Sequence, residues 1–285
     1  VALYWPEFEQ GGKGAITVRD ALTHQAGVPG FDPVLTFEDL KDWGKVTANI
    51  AAQTHRFGGE RKVCYHLSTY GFILGELIRR VDGRWPARFF REEIADRTGA
   101  DFQIALGSKA DMPRLADLRW PAELAPPPAD DDLRTYVLDS LVFGPDNSFE
   151  TNSAELPSGS GKGNARSIAR VCAILAMGGE LDGERYMSRA MADEAGREQV
   201  FAEDPFFGWI KFGLGFGLHN PMFPAPSPTA FHWGGYGGSW ALVDQKGGVS
   251  LGYAPNNLRL DVTLSGVDPR LDRISGALEK LLPGL

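Results

Sequence analysis

The chain has 285 residues, 43% of them hydrophobic and 23% charged, an ordinary globular composition that excludes wholesale disorder and suffices for one large or two modest domains. Its net charge is −8, from 29 basic and 37 acidic residues, and no Lys/Arg stripe is clustered, so neither nucleic acid nor an anionic membrane surface is an expected partner. No apolar run reaches the roughly 18 residues of a membrane span, the first residues lack the basic-then-apolar pattern of a signal peptide, and Cys64 and Cys172 lack CxxC or zinc-ligand spacing, which predicts two buried thiols.

The opening run with Tyr4, Trp5 and Pro6 is extended and apolar, has no cap, and reads as the middle of a larger structure. Thr17 followed by Asp20 is a capping-box pattern, and Val18, Ala21 and Leu22 give one apolar side of a short helix that stops near Gly27. Thr36 and Asp39 repeat the signal ahead of Phe37, Leu40, Trp43, Val46 and Ile50 at helical spacing. After the Gly58-Gly59 turn, Tyr70, Ile73, Leu74, Leu77, Ile78 and Val81 form a one-faced helix ending at Gly83, which places Tyr65 just before a helix start. Pro86 begins a further helix through Phe89, Phe90 and Ile94, and Phe102 to Leu106 reads as a short strand.

Between residues 108 and 132 the five prolines Pro113, Pro121, Pro126, Pro127 and Pro128 and the run Asp130 to Asp132 predict an irregular, solvated loop or lid. A brief helix is expected over residues 133–141. In the glycine-rich connection that follows, Ser158 to Gly163 suggests a phosphate loop but fails on spacing, because Leu156 and Gly163 stand where a glycine and a Ser/Thr are needed. Ile168, Val171 and Ile174 or Leu175 line one face of the next helix, Asp182-Gly183 reads as a hairpin turn, and Ser188 caps a short helix.

Phe212, Leu214, Phe216 and Leu218 alternate as a strand. Phe231, His232 and Trp233 then lead into Gly234, Gly235, Tyr236, Gly237 and Gly238. The apolar run Ser239 to Val243, a turn, and the alternating Val249, Leu251 and Tyr253 complete a hairpin. Leu271, Ile274, Leu278 and Leu281 mark a closing helix. The expected class is α/β: an antiparallel sheet flanked by helices with an inserted mostly helical region, residues 1–205 mainly helical and residues 206–285 carrying the strands and the last helix.

The histidines His24, His55, His66, His219 and His232 have no HExxH spacing and no Cys/His cluster, so neither a metal nor a cofactor is expected. No serine lies in a GxSxG elbow. Tyr65 and His232 remain as candidates for proton transfer. His24 and His66 read as structural groups near helix ends, Trp233 and Trp240 as core or pocket wall, and Ser160, Lys162 and Asn164 as members either of a site or of a glycine-rich loop.

The run Tyr65-His66-Leu67-Ser68-Thr69-Tyr70-Gly71 through Gly75, Glu76 and Arg79, with His232-Trp233-Gly234-Gly235-Tyr236-Gly237-Gly238-Ser239, resembles the serine β-lactamase-like superfamily: class C β-lactamases, DD-peptidases and the esterases that share their fold. Residues 5–8, 16–27 and 156–170 resemble further family segments, so the likeness spans nearly all of the chain and implies one such domain over residues 1–285. In that family a serine of an S-x-x-K motif is acylated, a tyrosine moves its proton, and a Lys/His-x-Gly strand borders the acyl group. The resemblance implies Tyr65 as that tyrosine, His232-Trp233-Gly234 as the strand motif and the Gly235 N–H as an oxyanion donor. The esterase register Trp233-Gly234-Gly235 would instead move the donor to Tyr236. A tyrosine, with an ordinary pKa near 10, needs nearby positive charge to act as a base at neutral pH, and one aligned oxyanion donor contributes roughly 3 kcal/mol.

Leu67 stands where the β-lactamases carry Asn, which favours simple esters over β-lactams. No Ser-x-x-Lys occurs anywhere in the 285 residues, although the family places it upstream of the segment at Trp5. The expectation is therefore a serine esterase of this fold whose first strands and nucleophile helix lie upstream, acting on a small-molecule ester or amide. The competing readings are a β-lactamase or DD-peptidase, a transacylase, and a binding protein without the nucleophile.

Overall fold

The structure, a computed structural model, describes residues 1–119, 132–142, 146–259 and 268–282. The chain packs as two compact units, one of Val1–Arg91, Gln103–Ala116 and Pro127–Lys162, the other of Glu92–Phe102, Asp117–Pro126 and Gly163–Leu285.

The first unit is helical, and its starts follow the local capping signals. Helix α1 (Val18–Leu22) begins with a reciprocal box, the Asp20 N–H donating to Thr17 Oγ1 at 3.0 Å and the Thr17 N–H to Asp20 Oδ2 at 2.8 Å. The helix expected from Thr36 onward splits into a short turn, Phe37–Leu40, and helix α2 (Trp43–Ala52). The cause is Asp42, whose carboxylate accepts the Lys45 N–H at 3.1 Å and so starts a new helix. Helix α3 (Thr69–Asp82) stops at Gly83, whose φ of +89° and N–H bond to the Arg79 carbonyl close the last turn.

These helices bury Trp5, Phe8, Ile16, Phe31, Leu40, Trp43, Val46, Ile50, Phe72, Ile73 and Leu77 in one core, each large side chain contributing about 1.5–3 kcal/mol. Two charges sit inside it with their partners. Glu76 accepts from Trp43 Nε1, Arg79 and Arg80; burial alone would raise its carboxyl, but those donors hold it below the usual range. The buried Lys13 ammonium donates to the carbonyls of Gln10, Ala51 and Gln53, and burial lowers its pKa to about 8.

Among the described residues of the second unit, six strands form a meander in sequence order: β1 (Val200–Asp204), β2 (Gly208–Phe212), β3 (Gly217–Leu218), β4 (Ala230–Gly234), β5 (Trp240–Asp244) and β6 (Val249–Tyr253). All neighbours are antiparallel, with Ala230 opposite Asp244, His232 opposite Leu242 and Gly234 opposite Trp240. The sheet is larger than the three strands read from sequence. It adds the edge hairpin β1–β2, and the run from Phe212 to Leu218 is not one strand: it breaks where Gly215 turns with φ +85°.

Helix α4 (Ala165–Ala176), capped by Asn164, packs Ile168, Cys172, Leu175 and Ala176 on Phe231, Val243, Ala241 and Leu218. It comes so close that a Cβ on Gly252 would lie 2.6 Å from Ile168 Cβ and 2.7 Å from the Ala169 nitrogen. Helix α5 (Arg189–Ala195) starts at Ser188, as expected. Helix α6 (Pro269–Leu281) lays Leu271, Ile274 and Leu278 against Ala230, Trp240, Leu242, Leu251 and Tyr253. Ala230 and Leu242 alternate along their strands with Phe231 and Val243, so α4 and α6 cover opposite faces of the sheet.

Both cysteines are buried and neither is in a disulfide. The loop expected over residues 108–132 contains a 3-10 turn at Lys109–Arg114, and its remaining prolines and first two aspartates lie outside the described residues. Among the described residues no helix is long and apolar enough to cross a membrane, and no group of three or more His, Cys, Asp or Glu side chains is arranged to hold a metal.

Candidate active site

Tyr65 is half-buried in the turn ahead of α3. Its ring lies 4.6 Å from the ring of His24, which stacks at 4.5 Å and 28° on Tyr70. The backbone around Tyr65 is pinned to His24: the Cys64 N–H donates to the His24 carbonyl and the His66 N–H to His24 Nδ1 at 3.1 Å. His66 donates from Nδ1 to the Cys64 carbonyl at 2.7 Å and accepts the Val28 N–H at Nε2, a pattern that only the neutral ring satisfies. Burial brings His66 down to about 4, and burial with the neighbouring His66 puts His24 well below the ordinary value. Both rings are neutral at neutral pH, so they give Tyr65 shape rather than positive charge.

The helix that follows is anchored by the glycine-rich segment. Ser158 Oγ accepts the Gly71 N–H at 2.7 Å and donates to the Ser68 carbonyl at 2.9 Å, while Thr69 Oγ1 donates to Val28. Ser160 is buried, accepting from the Leu156 N–H and donating to the Ile104 carbonyl, so it serves the loop. Asn164 likewise caps α4. Burial lowers Lys162 to about 8. Leu67 is half-buried and apolar.

In the second unit the strand motif lies on β4. His232 is 8% exposed, its ring parallel to Phe223 at 4.6 Å and its Nδ1 accepting the Trp240 indole N–H at 3.0 Å. Burial lowers its pKa to about 4, the Pro224 backbone opposing only in part, and among the described residues Nε2 has no hydrogen-bond partner. Trp233 is half-exposed against an aromatic wall of Phe207 at 5.2 Å, Phe212 at 5.5 Å and Phe223 at 5.7 Å. Gly234 is exposed. The Gly235 N–H donates to the Ser239 carbonyl at 2.8 Å and the Gly238 N–H to the Gly235 carbonyl at 3.0 Å, which folds residues 235–238 into a tight turn. That first bond occupies the N–H which the His232-Trp233-Gly234 register would aim at an oxyanion. The wall residues Phe207 and Phe223 were not found from sequence, because nothing local ties their loops to Trp233.

The chain matches the beta-lactamase family model over residues 1–264 and belongs to that family. It is 30% identical over 274 residues to the esterase/beta-lactamase LipL of Mycobacterium tuberculosis, which covers 90% of this chain and 62% of the relative. The chain thus spans less than two thirds of that curated relative's length. Among solved structures it is 35% identical to a penicillin-binding protein homolog from Caulobacter crescentus (TM-score 0.82, 98% of this chain and 73% of that one). It is 32% identical to a family VIII carboxylesterase (TM-score 0.83, 98% and 74%). The mixed architecture of helices and antiparallel sheet is that of the beta-lactamase and penicillin-binding-protein fold.

Proposed function

We propose that these residues form the body of a serine hydrolase acting through an acyl-enzyme, a carboxylesterase on small acyl esters. Leu67 carries the preference for esters: an aliphatic side chain stands where the β-lactamases present an amide, and it cannot hold the amide group of a β-lactam. The names of two similar proteins, an esterase/beta-lactamase and a carboxylesterase, support the same class.

In this reading a serine Oγ bonds to the ester carbonyl carbon while Tyr65 Oη takes its proton. The tetrahedral oxyanion collapses, the C–O bond to the alcohol breaks, and the alkoxide leaves with the proton from Tyr65. Water repeats the sequence in reverse and frees the acid. The charge that prepares Tyr65 comes from the lysine paired with that serine, since His24 and His66 are neutral. The engaged Gly235 N–H and the half-exposed Trp233 support the Trp233-Gly234-Gly235 register, with the Tyr236 N–H as oxyanion donor and His232 holding the strand through Trp240. The 285 residues contain no Ser-x-x-Lys, so the nucleophile is the component a test must find.

The test is intact mass before and after a fluorophosphonate, with hydrolysis of p-nitrophenyl acetate and butyrate and of nitrocefin in parallel. A single adduct, ester turnover well above nitrocefin turnover, and a loss of about 10²–10⁴ in kcat for Tyr65→Phe are expected. Neither adduct nor turnover would replace hydrolysis by a binding role; faster nitrocefin turnover would replace the esterase by a β-lactamase.

A further inference from the structure

The glycine-rich turn after β4 is held from outside by one ion pair. Asp268, buried at the start of α6, caps that helix by accepting the Arg270 N–H at 2.9 Å, and its carboxylate also takes Arg270 Nε at 2.9 Å. Held there, the guanidinium donates Nη2 to the Gly237 carbonyl at 3.3 Å and Nη1 to the Asn257 carbonyl at 2.8 Å, and lies 5.9 Å over the Tyr253 ring at the end of β6. The Arg259 N–H supplies a second bond to the Gly237 carbonyl at 3.1 Å, and Leu258 packs on Gly237. Gly238 approaches so closely that a Cβ there would lie 2.7 Å from Asp268 Oδ2 and closer still to the guanidinium.

From these bonds we infer that Arg270, oriented by Asp268, is a positioning residue for the oxyanion donor of the strand motif. The inference rests on the hydrolase reading given above. Its physical route is two planar peptides in series. The Gly237 carbonyl shares a peptide plane with the Gly238 N–H, so fixing the oxygen aims that N–H at the Gly235 carbonyl. The Gly235 carbonyl in turn shares its plane with the Tyr236 N–H, and a trans peptide sets the N–H opposite the C=O. Arg270 thereby fixes the direction of the Tyr236 N–H without touching substrate. A loop containing four glycines in five residues would otherwise let it wander.

Arg270→Met, Arg270→Lys and Asp268→Asn are compared with the wild-type protein on p-nitrophenyl butyrate, with kcat referred to fluorophosphonate-titrated sites so that misfolded protein is not counted. We expect Arg270→Met to lower kcat by about tenfold to a hundredfold with KM changed by less than about threefold, because a misaligned donor affects the transition state more than binding. Arg270→Lys keeps a charge near Asp268 but cannot bridge both carbonyls, and recovers only part of the loss. A kcat per titrated site within about twofold of wild type in the Arg270 variants, or a loss confined to KM, overturns the positioning role while leaving the hydrolase reading intact. A wild-type protein that neither labels nor turns over ester overturns the hydrolase reading and this inference with it. Should Arg270→Met not fold, Arg270→Lys and Asp268→Asn decide by the same kcat criterion.

Discussion

Trp240 donates its indole N–H to His232 Nδ1 at 3.0 Å, and that bond settles the protonation of the ring. A nitrogen that accepts carries no proton, so His232 is neutral with its hydrogen on Nε2. We expect His232→Phe to leave the Trp240 N–H buried without an acceptor and to cost about 1–3 kcal/mol, read as a lower Tm. The pH profile of kcat/KM between 5.5 and 8 should keep its shape. A lost limb of that profile at unchanged Tm would instead make His232 a proton carrier. Gly238 is the other position where one atom matters. Its φ is +104° and the space for a Cβ is filled by Asp268 and Arg270. Gly238→Ala is expected to cost about 1–3 kcal/mol in chemical denaturation; an unchanged midpoint would show that the turn gives way freely.

At the scale of elements, the start of α3 and the seat of α4 each hang on a contact distant in sequence. Ser158 satisfies the Gly71 N–H and the Ser68 carbonyl, so Ser158→Ala should remove about 1–2 kcal/mol and speed amide exchange at residues 68–71. Exchange there equal to wild type would mean that the start of α3 does not depend on Ser158. These contacts explain what was legible. Capping boxes at Thr17 and Thr36, the stop at Gly83 and the Asp182-Gly183 hairpin were read correctly because each is decided within four or five residues. The split at Asp42 was missed because the apolar period runs on unbroken across it. The edge hairpin β1–β2 was missed because its exposed Phe201 and Trp209 blur the alternation that marks a strand.

For the molecule as a whole, four buried histidines, His24, His55, His66 and His232, link stability to pH, burial lowering the pKa of each. His66 and His232 lie near 4 and His24 is well below its ordinary value, whereas in the unfolded chain each titrates near 6.5. Between those limits the unfolded chain binds more protons, so stability rises with pH and is lost as pH falls from 6.5 toward 4. Each of His66 and His232 is worth up to about 3 kcal/mol over that window, a large share of an ordinary folding free energy of about 5–15 kcal/mol. Urea midpoints at pH 7, 5.5 and 4.5 should fall steadily; a flat series down to 4.5 would show that these rings protonate in the folded state without cost. Carboxylates held low by their donors, such as Glu76 and Asp244, add their loss from the acid end of that range downward, as pH falls through their depressed folded values.

The chain's own order of residues already contained the helix caps, the glycine turns, the Tyr65 and Trp233 motifs and, through them, the family. All are local patterns in which neighbouring backbone and side-chain atoms satisfy one another. Which nitrogen of His232 bears a proton, that the Gly235 N–H is already engaged, and that Arg270 braces Gly237 were decided only by tertiary structure. Each depends on groups brought together from outside its own segment, where burial against a sheet face, rather than propensity, determines which polar atoms meet.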